Sequence, residues 1–221
     1  LKRIGASGSV LGIDISAPML KVARSLAQTA GADHAAIEFL EADAQSHSFD
    51  GQPFDLVFSR FGVMFFEDPV AAFSNIHSAM APTGQLAFGC WQPRAVNPFM
   101  TLPAVAAMEL LPPPPALPPR APGPFAFEEP EYVEGILNAA GFSEIHIVGL
   151  SQPLVFGRGL SLRDIVERLV EIGPIAQMVR DAPEALQQPV REKVIAALAP
   201  FYGEDSGMVL DGQIWQVTAN A

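Results

Sequence analysis

Residues 10–16 of the sequence read VLGIDIS, an apolar run that ends next to an acidic residue. Val10–Ile15 has the length and composition of a buried strand, and Ser16 suits the N-cap of a helix over Pro18–Ala30. In open α/β sheets, ligands bind beyond the carboxyl ends of the strands. The stretch therefore predicts an α/β fold and places Asp14 at a ligand-binding edge.

The same alternation of strand and helix continues along the chain and decides the fold class. Further strands are predicted at Ala36–Leu40, Phe54–Ser59 and Gln85–Trp91. Asp68 and Pro69 form a cap-and-first-turn pair for a helix that runs to about Ala81. Such alternation predicts right-handed crossovers and a doubly wound, mostly parallel Rossmann-like sheet. A helix at Pro130–Ala140 and strands at Glu144–Leu150 and Gly212–Ala221 extend the pattern.

Two regions interrupt this alternation, residues 92–127 and residues 152–205. The first contains the segment 111–124, whose eight prolines forbid helix interiors and central strands and favour an extended chain. The second contains predicted helices at Leu160–Gly173 and Pro183–Leu198. Because the α/β pattern resumes between them, we interpret residues 1–221 as one domain in which both regions cover the substrate side. A linker between two domains is the alternative for the proline-rich segment.

Composition and charge exclude several classes of partner. The net charge of -11 comes with no basic cluster of the kind that nucleic acid requires. No apolar run approaches the ~18 residues of a membrane span. The single cysteine, Cys90, is expected to be a buried thiol, and one unpaired cysteine suits a reducing compartment, so we expect a cytoplasmic protein. The sequence indicates no metal site and leaves open a homodimer.

Two more polar residues follow strands at the edge that carries Asp14. Asp43 comes just after Ala36–Leu40, and Ser59 ends its own strand. A carboxylate has two acceptor oxygens, which match the neighbouring hydroxyls of a ribose. The attraction of an acid to a helix N-terminus would explain Asp14 equally well by itself. Taken together, the three residues favour a nucleoside pocket.

Three segments carry a resemblance to a known family: VLGIDISAPMLKVAR (residues 10–24), EADAQ (41–45) and FDLVFSRFGVMFFEDPVAAFSNIHSAMAPTGQLAFGCW (54–91). In order and spacing they resemble the class I S-adenosylmethionine-dependent methyltransferases, in the small-molecule branch similar to the ubiquinone and menaquinone biosynthesis enzymes. The resemblance implies S-adenosylmethionine as cofactor. It also implies transfer of the sulfonium methyl group to a small acceptor, a step that depends chiefly on positioning and exclusion of water.

The resemblance assigns roles to particular residues. Asp14 would hold the ribose, and Ile15 and Met19 would pack near the adenine. Asp43 would accept from the adenine amino group with Ala44 beside it, and Ser59 and Arg60 would lie near the methionine end. The acceptor side is expected to be apolar or aromatic, formed by Phe61, Met64 and Trp91, for which core packing is the alternative role.

The family's first strand and glycine-rich loop do not appear in this sequence. Gly5 and Gly8 precede Val10 in a turn from a helix to a strand, whereas the family's loop leads from a strand to a helix. We therefore expect that loop upstream of Leu1.

No catalytic base is evident, because His34, His47, His77 and His146 all suit solvated or structural positions. A nicotinamide-dependent oxidoreductase would use the same strand-end acid. However, neither Tyr132 nor Tyr202 is followed by the lysine of a Tyr-x-x-x-Lys pair. A non-catalytic nucleoside-binding module on the same fold is the other alternative.

Overall fold

The structure is a computed structural model that describes residues 4–5, 7–29, 35–51, 53–172 and 175–221. Within these ranges the strands are β1 (Ser9–Asp14), β2 (Ala36–Glu41), β3 (Phe54–Arg60), β4 (Met80–Trp91), β5 (Ser143–Phe156), β6 (Tyr202–Gly203) and β7 (Gly207–Asn220). The helices are α1 (Ala17–Gln28), α2 (Pro69–Ser78), α3 (Pro98–Ala107), α4 (Pro130–Ala139), α5 (Leu162–Ile172), α6 (Ala176–Asp181) and α7 (Glu184–Leu198).

The helices α1 and α2 begin at the capping residues that the sequence predicts. Ser16 caps α1, where its hydroxyl accepts a hydrogen bond from the Met19 amide at 3.4 Å. Asp68 caps α2 in the same way, with Ala71 as the donor at 3.0 Å, and Pro69 fills the first turn. The predicted strand–helix–strand unit at the beginning of the chain is confirmed.

The strands form two sheets. β1 and β2 pair in parallel, and the larger sheet has the order β3-β4-β7-β5, with β6 added beside β7. In the larger sheet β7 is antiparallel to β4, β5 and β6, so those strands share one direction with β3. The predicted α/β class with a mostly parallel sheet is confirmed. Within the described residues, β1 and β3 are each paired on one side only.

One core lies between the larger sheet and the helices α2 and α4. Its centre includes Phe73 of α2, Leu86 and Phe88 of β4, Phe127 and Leu137, all of them buried. On the opposite face of the sheet, Leu56 and Phe58 of β3 are 54% and 68% exposed. Alternation along β3 and β4 accounts for this difference, because successive side chains point to opposite faces.

A second core sits on an extension of the same sheet. β5 and β7 continue to pair from Ser151 to Phe156, beyond the point where β4 ends opposite Ile214. The helices α3, α5, α6 and α7 pack on this two-stranded ribbon, around residues such as Val166, Val194 and Met208. No helix in the described ranges is long and apolar enough to cross a lipid bilayer.

The proline-rich segment 111–124, here called the proline strap, joins the two cores and contains neither helix nor strand. At one end, Leu111 is buried in the second core. At the other, the amide of Gly123 donates to the carbonyl of Met64 at 3.1 Å. Arg120 lies over the ring of Tyr132 in α4, with its Cζ 4.0 Å from the ring centroid.

Several predicted boundaries are wrong. α2 ends at Ser78 and not near Ala81, because Met80 already pairs with Phe54 at the start of β4. The Pro-Thr-Gly sequence that was expected to end the helix lies inside β4, at an irregularity of the β3–β4 register. α3 and α6 were not predicted, and β5 and β7 are longer than expected because they form the ribbon under the second core. Of the expected helix ends, Ala30 and Gly173 lie outside the described residues.

Candidate active site

Asp14 ends β1 in a tight turn that leaves part of its carboxylate free. Its Oδ1 accepts from the amide of Ser16 at 2.8 Å, and Oδ2 has no hydrogen bond within the described chain. Ile15 and Met19, which flank the turn, are 73% and 62% exposed. Two large apolar side chains beside a free carboxylate oxygen are a surface that can receive the flat ring and the hydroxyls of a nucleoside.

Asp43 repeats this arrangement at the end of β2. Its Oδ1 accepts from the amide of Gln45 at 2.8 Å. The turns of Asp14 and Asp43 are adjacent, because the amide of Ala42 donates to the carbonyl of Asp14 at 3.1 Å. Both carboxylates are therefore held at one edge of the β1–β2 sheet, as the sequence predicts.

Three hydrogen bonds connect the Asp43 turn to the larger sheet through α2. The amide of Asp68 donates to Oε1 of Gln45 at 2.9 Å. Nδ2 of Asn75 donates to the carbonyls of Ala44 and His47, each at 2.9 Å. Sequence reasoning missed Gln45 and Asn75. The available signal was Asn75 itself, a polar residue between the apolar Phe73 and Ile76.

The carboxyl end of β3 supplies Ser59, Arg60 and Phe61. Arg60 is exposed, and no acidic side chain of the described residues pairs with it. Gly62 leaves room for the hydroxyl of Ser59, since a Cβ at residue 62 would lie 3.2 Å from Ser59 Oγ. Phe61 has a φ of 60°, and its amide donates to the carbonyl of Gly89 at 3.0 Å.

Phe61 and Trp91 come together at the ends of two adjacent strands. Their rings stack with centroids 4.1 Å apart and an interplanar angle of 6°. Both side chains are partly buried, so part of the stack is accessible. The remaining predicted acceptor residue, Met64, is 1% exposed and packs in the first core. The structure therefore favours the packing role for Met64, because its thioether has no access to a ligand.

The turn after Trp91 is held by Asn97, which sequence reasoning also missed. This side chain is fully buried, and its Nδ2 donates to the carbonyls of Gln92, Pro93 and Gln213 at 2.9, 3.3 and 3.0 Å. Its Oδ1 accepts from the amide of Gln213 at 2.8 Å. Asn97 thus joins the end of β4 to the central strand β7.

No histidine or cysteine of the described residues fits a catalytic base at this edge. His47 and His77 pack edge-to-face on Phe49 and Phe142, with ring centroids 5.0 and 4.9 Å apart. His146 lies on β5, and His34 lies outside the described residues. Burial raises the pKa of the Cys90 thiol to about 12, which makes it inert. The described part of the chain also shows no cluster of three or more metal-ligating side chains.

Comparison with known proteins identifies the family. The family described as "Methyltransferase domain" matches residues 1–88. A demethylmenaquinone methyltransferase of Thermus thermophilus is 31% identical over 154 residues, which cover 65% of this chain and 67% of the relative. This chain belongs to the class I S-adenosylmethionine-dependent methyltransferases.

Two further similarities agree with this assignment. An aklanonic acid methyltransferase of a Streptomyces species is 32% identical to this methyltransferase over 87 residues, 39% of each chain. A solved structure of a candidate methyltransferase from Bacillus halodurans aligns with a TM-score of 0.54 at 16% identity, over 96% of this chain and 82% of the other. At that identity the alignment supports the fold alone. The family assignment confirms an enzyme that uses S-adenosylmethionine, and the oxidoreductase and binding-module alternatives have no support.

Proposed function

We propose that this methyltransferase binds S-adenosylmethionine across the carboxyl edge of its strands and methylates a small, apolar or aromatic acceptor. The free Oδ2 of Asp14 beside exposed Ile15 and Met19 is the observation that carries the proposal. Asp14 would hold the ribose hydroxyls, and the two apolar side chains would cover the adenine. The adjacent turn would bring Asp43 and Ala44 to the adenine amino group.

The opposite side of the edge would receive the reacting end of the cofactor. Ser59 and Arg60 would bind the methionine end, where the unpaired guanidinium of Arg60 can meet a carboxylate. Phe61 and Trp91 would hold the acceptor against the sulfonium. Since no described histidine or cysteine suits a base at this edge, these residues would act by positioning the acceptor and excluding water.

Substitution of Asp14 tests the cofactor site. Loss of a charged acceptor from the ribose should weaken binding by about 1.5–3 kcal/mol, or about ten- to a hundredfold. Calorimetric titration of S-adenosylmethionine into full-length Asp14→Ala would measure this. Asp55→Ala is the matched control, because Asp55 is an exposed aspartate at the amino end of β3. Equal affinities of the two variants would contradict the proposed site.

A further strand between β1 and β3 would complete this site. The support is that both strands are paired on one side only within the described residues. Such a strand, followed by a glycine-rich turn, would reach the methionine end of the cofactor. If residues 1–221 alone bind S-adenosylmethionine as tightly as a chain extended upstream of Leu1, this strand is not needed.

The regions 92–127 and 152–205 are proposed to cover the acceptor. The support is that α3 is the first α-helix after Trp91 and belongs to the second core. A proline-rich strap loses little conformational entropy when it becomes ordered over a ligand. Replacement of residues 111–124 by a flexible linker should weaken use of the acceptor and leave cofactor affinity nearly unchanged. Full turnover would show that the strap is not part of the site.

We further propose that the enzyme acts in the cytoplasm on free small molecules and not on nucleic acid. The net charge of -11 and the single, buried cysteine support this setting. A homodimer is consistent with the exposed apolar residues of β3, and sedimentation analysis of the full-length protein would test it.

A further inference from the structure

Four aromatic rings form a continuous row from the carboxyl edge of the sheet into the second core. Trp91, which stacks on Phe61, is followed by Phe99 of α3 at a centroid distance of 4.8 Å, and Phe156 of β5 lies 5.7 Å from Phe99. All four side chains are partly buried. The row therefore presents an accessible apolar surface that extends from the carboxyl edge of the sheet to the second core.

The two tryptophans differ in their hydrogen bonding. Nε1 of Trp215 donates to the carbonyl of Glu128 at 3.0 Å. Nε1 of Trp91 has no acceptor among the described residues, although the side chain is partly buried. Every buried polar side-chain atom of the described residues has a hydrogen-bond partner. Since Nε1 of Trp91 has none, this nitrogen is accessible to solvent. Because a partly buried indole N–H usually has a partner, the Trp91 donor is available to a ligand.

The backbone at Phe61 maintains this arrangement. A φ of 60° lies in the left-handed region, which bulky residues rarely adopt. It is held there by the hydrogen bond from Phe61 N to Gly89 O and by the stack on Trp91. Strained backbone of this kind persists where surrounding contacts enforce it and is concentrated at ligand sites.

We propose that the acceptor is a flat apolar compound that carries an oxygen, and that the indole N–H of Trp91 binds that oxygen. Phe99 contacts the ring of the acceptor on the side away from Phe61. Trp91 therefore orients the acceptor, and Phe99 contributes to its affinity. This assignment rests on the proposed function, because it presumes an apolar or aromatic acceptor at the same edge.

A pair of probes that differ by one hydroxyl tests the role of Trp91. 2-Naphthol and naphthalene would be measured by equilibrium dialysis against full-length protein saturated with S-adenosylhomocysteine, which has no methyl group to transfer. Wild type and Trp215→Phe should prefer 2-naphthol by about three- to tenfold, the value of one neutral hydrogen bond. Trp91→Phe keeps an aromatic ring and should bind both probes equally. Phe99→Leu should weaken both probes and keep the preference.

The outcomes distinguish the role of the Trp91 N–H from the proposed class of acceptor. If Trp91→Phe keeps the preference for 2-naphthol, the N–H is not the binding group, and the proposed apolar acceptor site stands. If neither probe binds to wild type, the acceptor class is wrong, and the role of Trp91 falls with it. If Trp91→Phe does not fold, Phe99→Leu still tests the proposal. Loss of the preference for 2-naphthol in Phe99→Leu contradicts the separate roles of Trp91 and Phe99. Retention of that preference with weaker binding of both probes supports those roles.

Discussion

Removal of the Asn97 side chain should destabilise the protein far more than its small size suggests. Four hydrogen bonds connect this buried amide to Gln92, Pro93 and Gln213. In Asn97→Ala, some of these groups keep other partners. The carbonyl of Gln213 still accepts from the amide of Gln92 at 3.0 Å, and that of Pro93 still accepts from Val96 at 3.0 Å.

Two backbone groups lose the partner that Asn97 provides, the carbonyl of Gln92 and the N–H of Gln213. Each buried group left without a partner costs about 1–3 kcal/mol, so we expect a loss of about 2–6 kcal/mol in the free energy of unfolding. The free energy of unfolding falls by about 2–3 kcal/mol per molar urea, so the unfolding midpoint would shift down by about 0.7–3 M.

Urea unfolding followed by circular dichroism would measure this loss. Asn138→Ala is the matched control, because Asn138 is exposed near the end of α4 and has no side-chain hydrogen bond within the described chain. That variant should unfold within about 0.5 kcal/mol of wild type. If the midpoints of the two variants coincide, the hydrogen bonds of Asn97 do not hold the turn.

Three further predictions concern two glycines and the cysteine. Gly207→Ala should be strongly destabilised in the same urea assay, because its φ is 74° and a Cβ would lie 2.5 Å from the carbonyl oxygen of Phe156. Gly135→Ala in α4 has open space around the added methyl group and should gain up to about 1 kcal/mol; a loss there would contradict the helix assignment. Since burial raises the pKa of Cys90 to about 12, its thiolate fraction near pH 8 is about 10⁻⁴, and a thiol reagent should label it only after unfolding. Rapid labelling of the native protein would show that Cys90 is accessible.

The strand-end residues of the site could be predicted because they obey local rules. Asp14 and Asp43 follow apolar runs of strand length, and the carboxyl ends of parallel strands share an edge. Ser16 and Asp68 identify their helix starts by capping chemistry alone. These features depend on a few neighbouring residues, which the sequence displays directly.

The missed features depend on partners that are distant in sequence. Asn97 is defined by its bonds to Gln213, and Asn75 by its bonds to the turn after β2. Helix α3 contains Pro103, which argues against a helix by propensity, yet the packing of Ala106 and Ala107 in the second core stabilises it. Met64 could not be assigned to the core from sequence, because an apolar residue after a strand suits a ligand site and a core equally well.

The position of β7 has a consequence for the order of folding. This strand is the last of the sheet along the chain, yet it lies between β4 and β5 and contributes Met208 and Val217 to different cores. During synthesis, the edges of β4 and β5 therefore stay unpaired until β7 emerges from the ribosome. Pairing between such distant segments is slow, and the open edges invite association with other chains in the meantime.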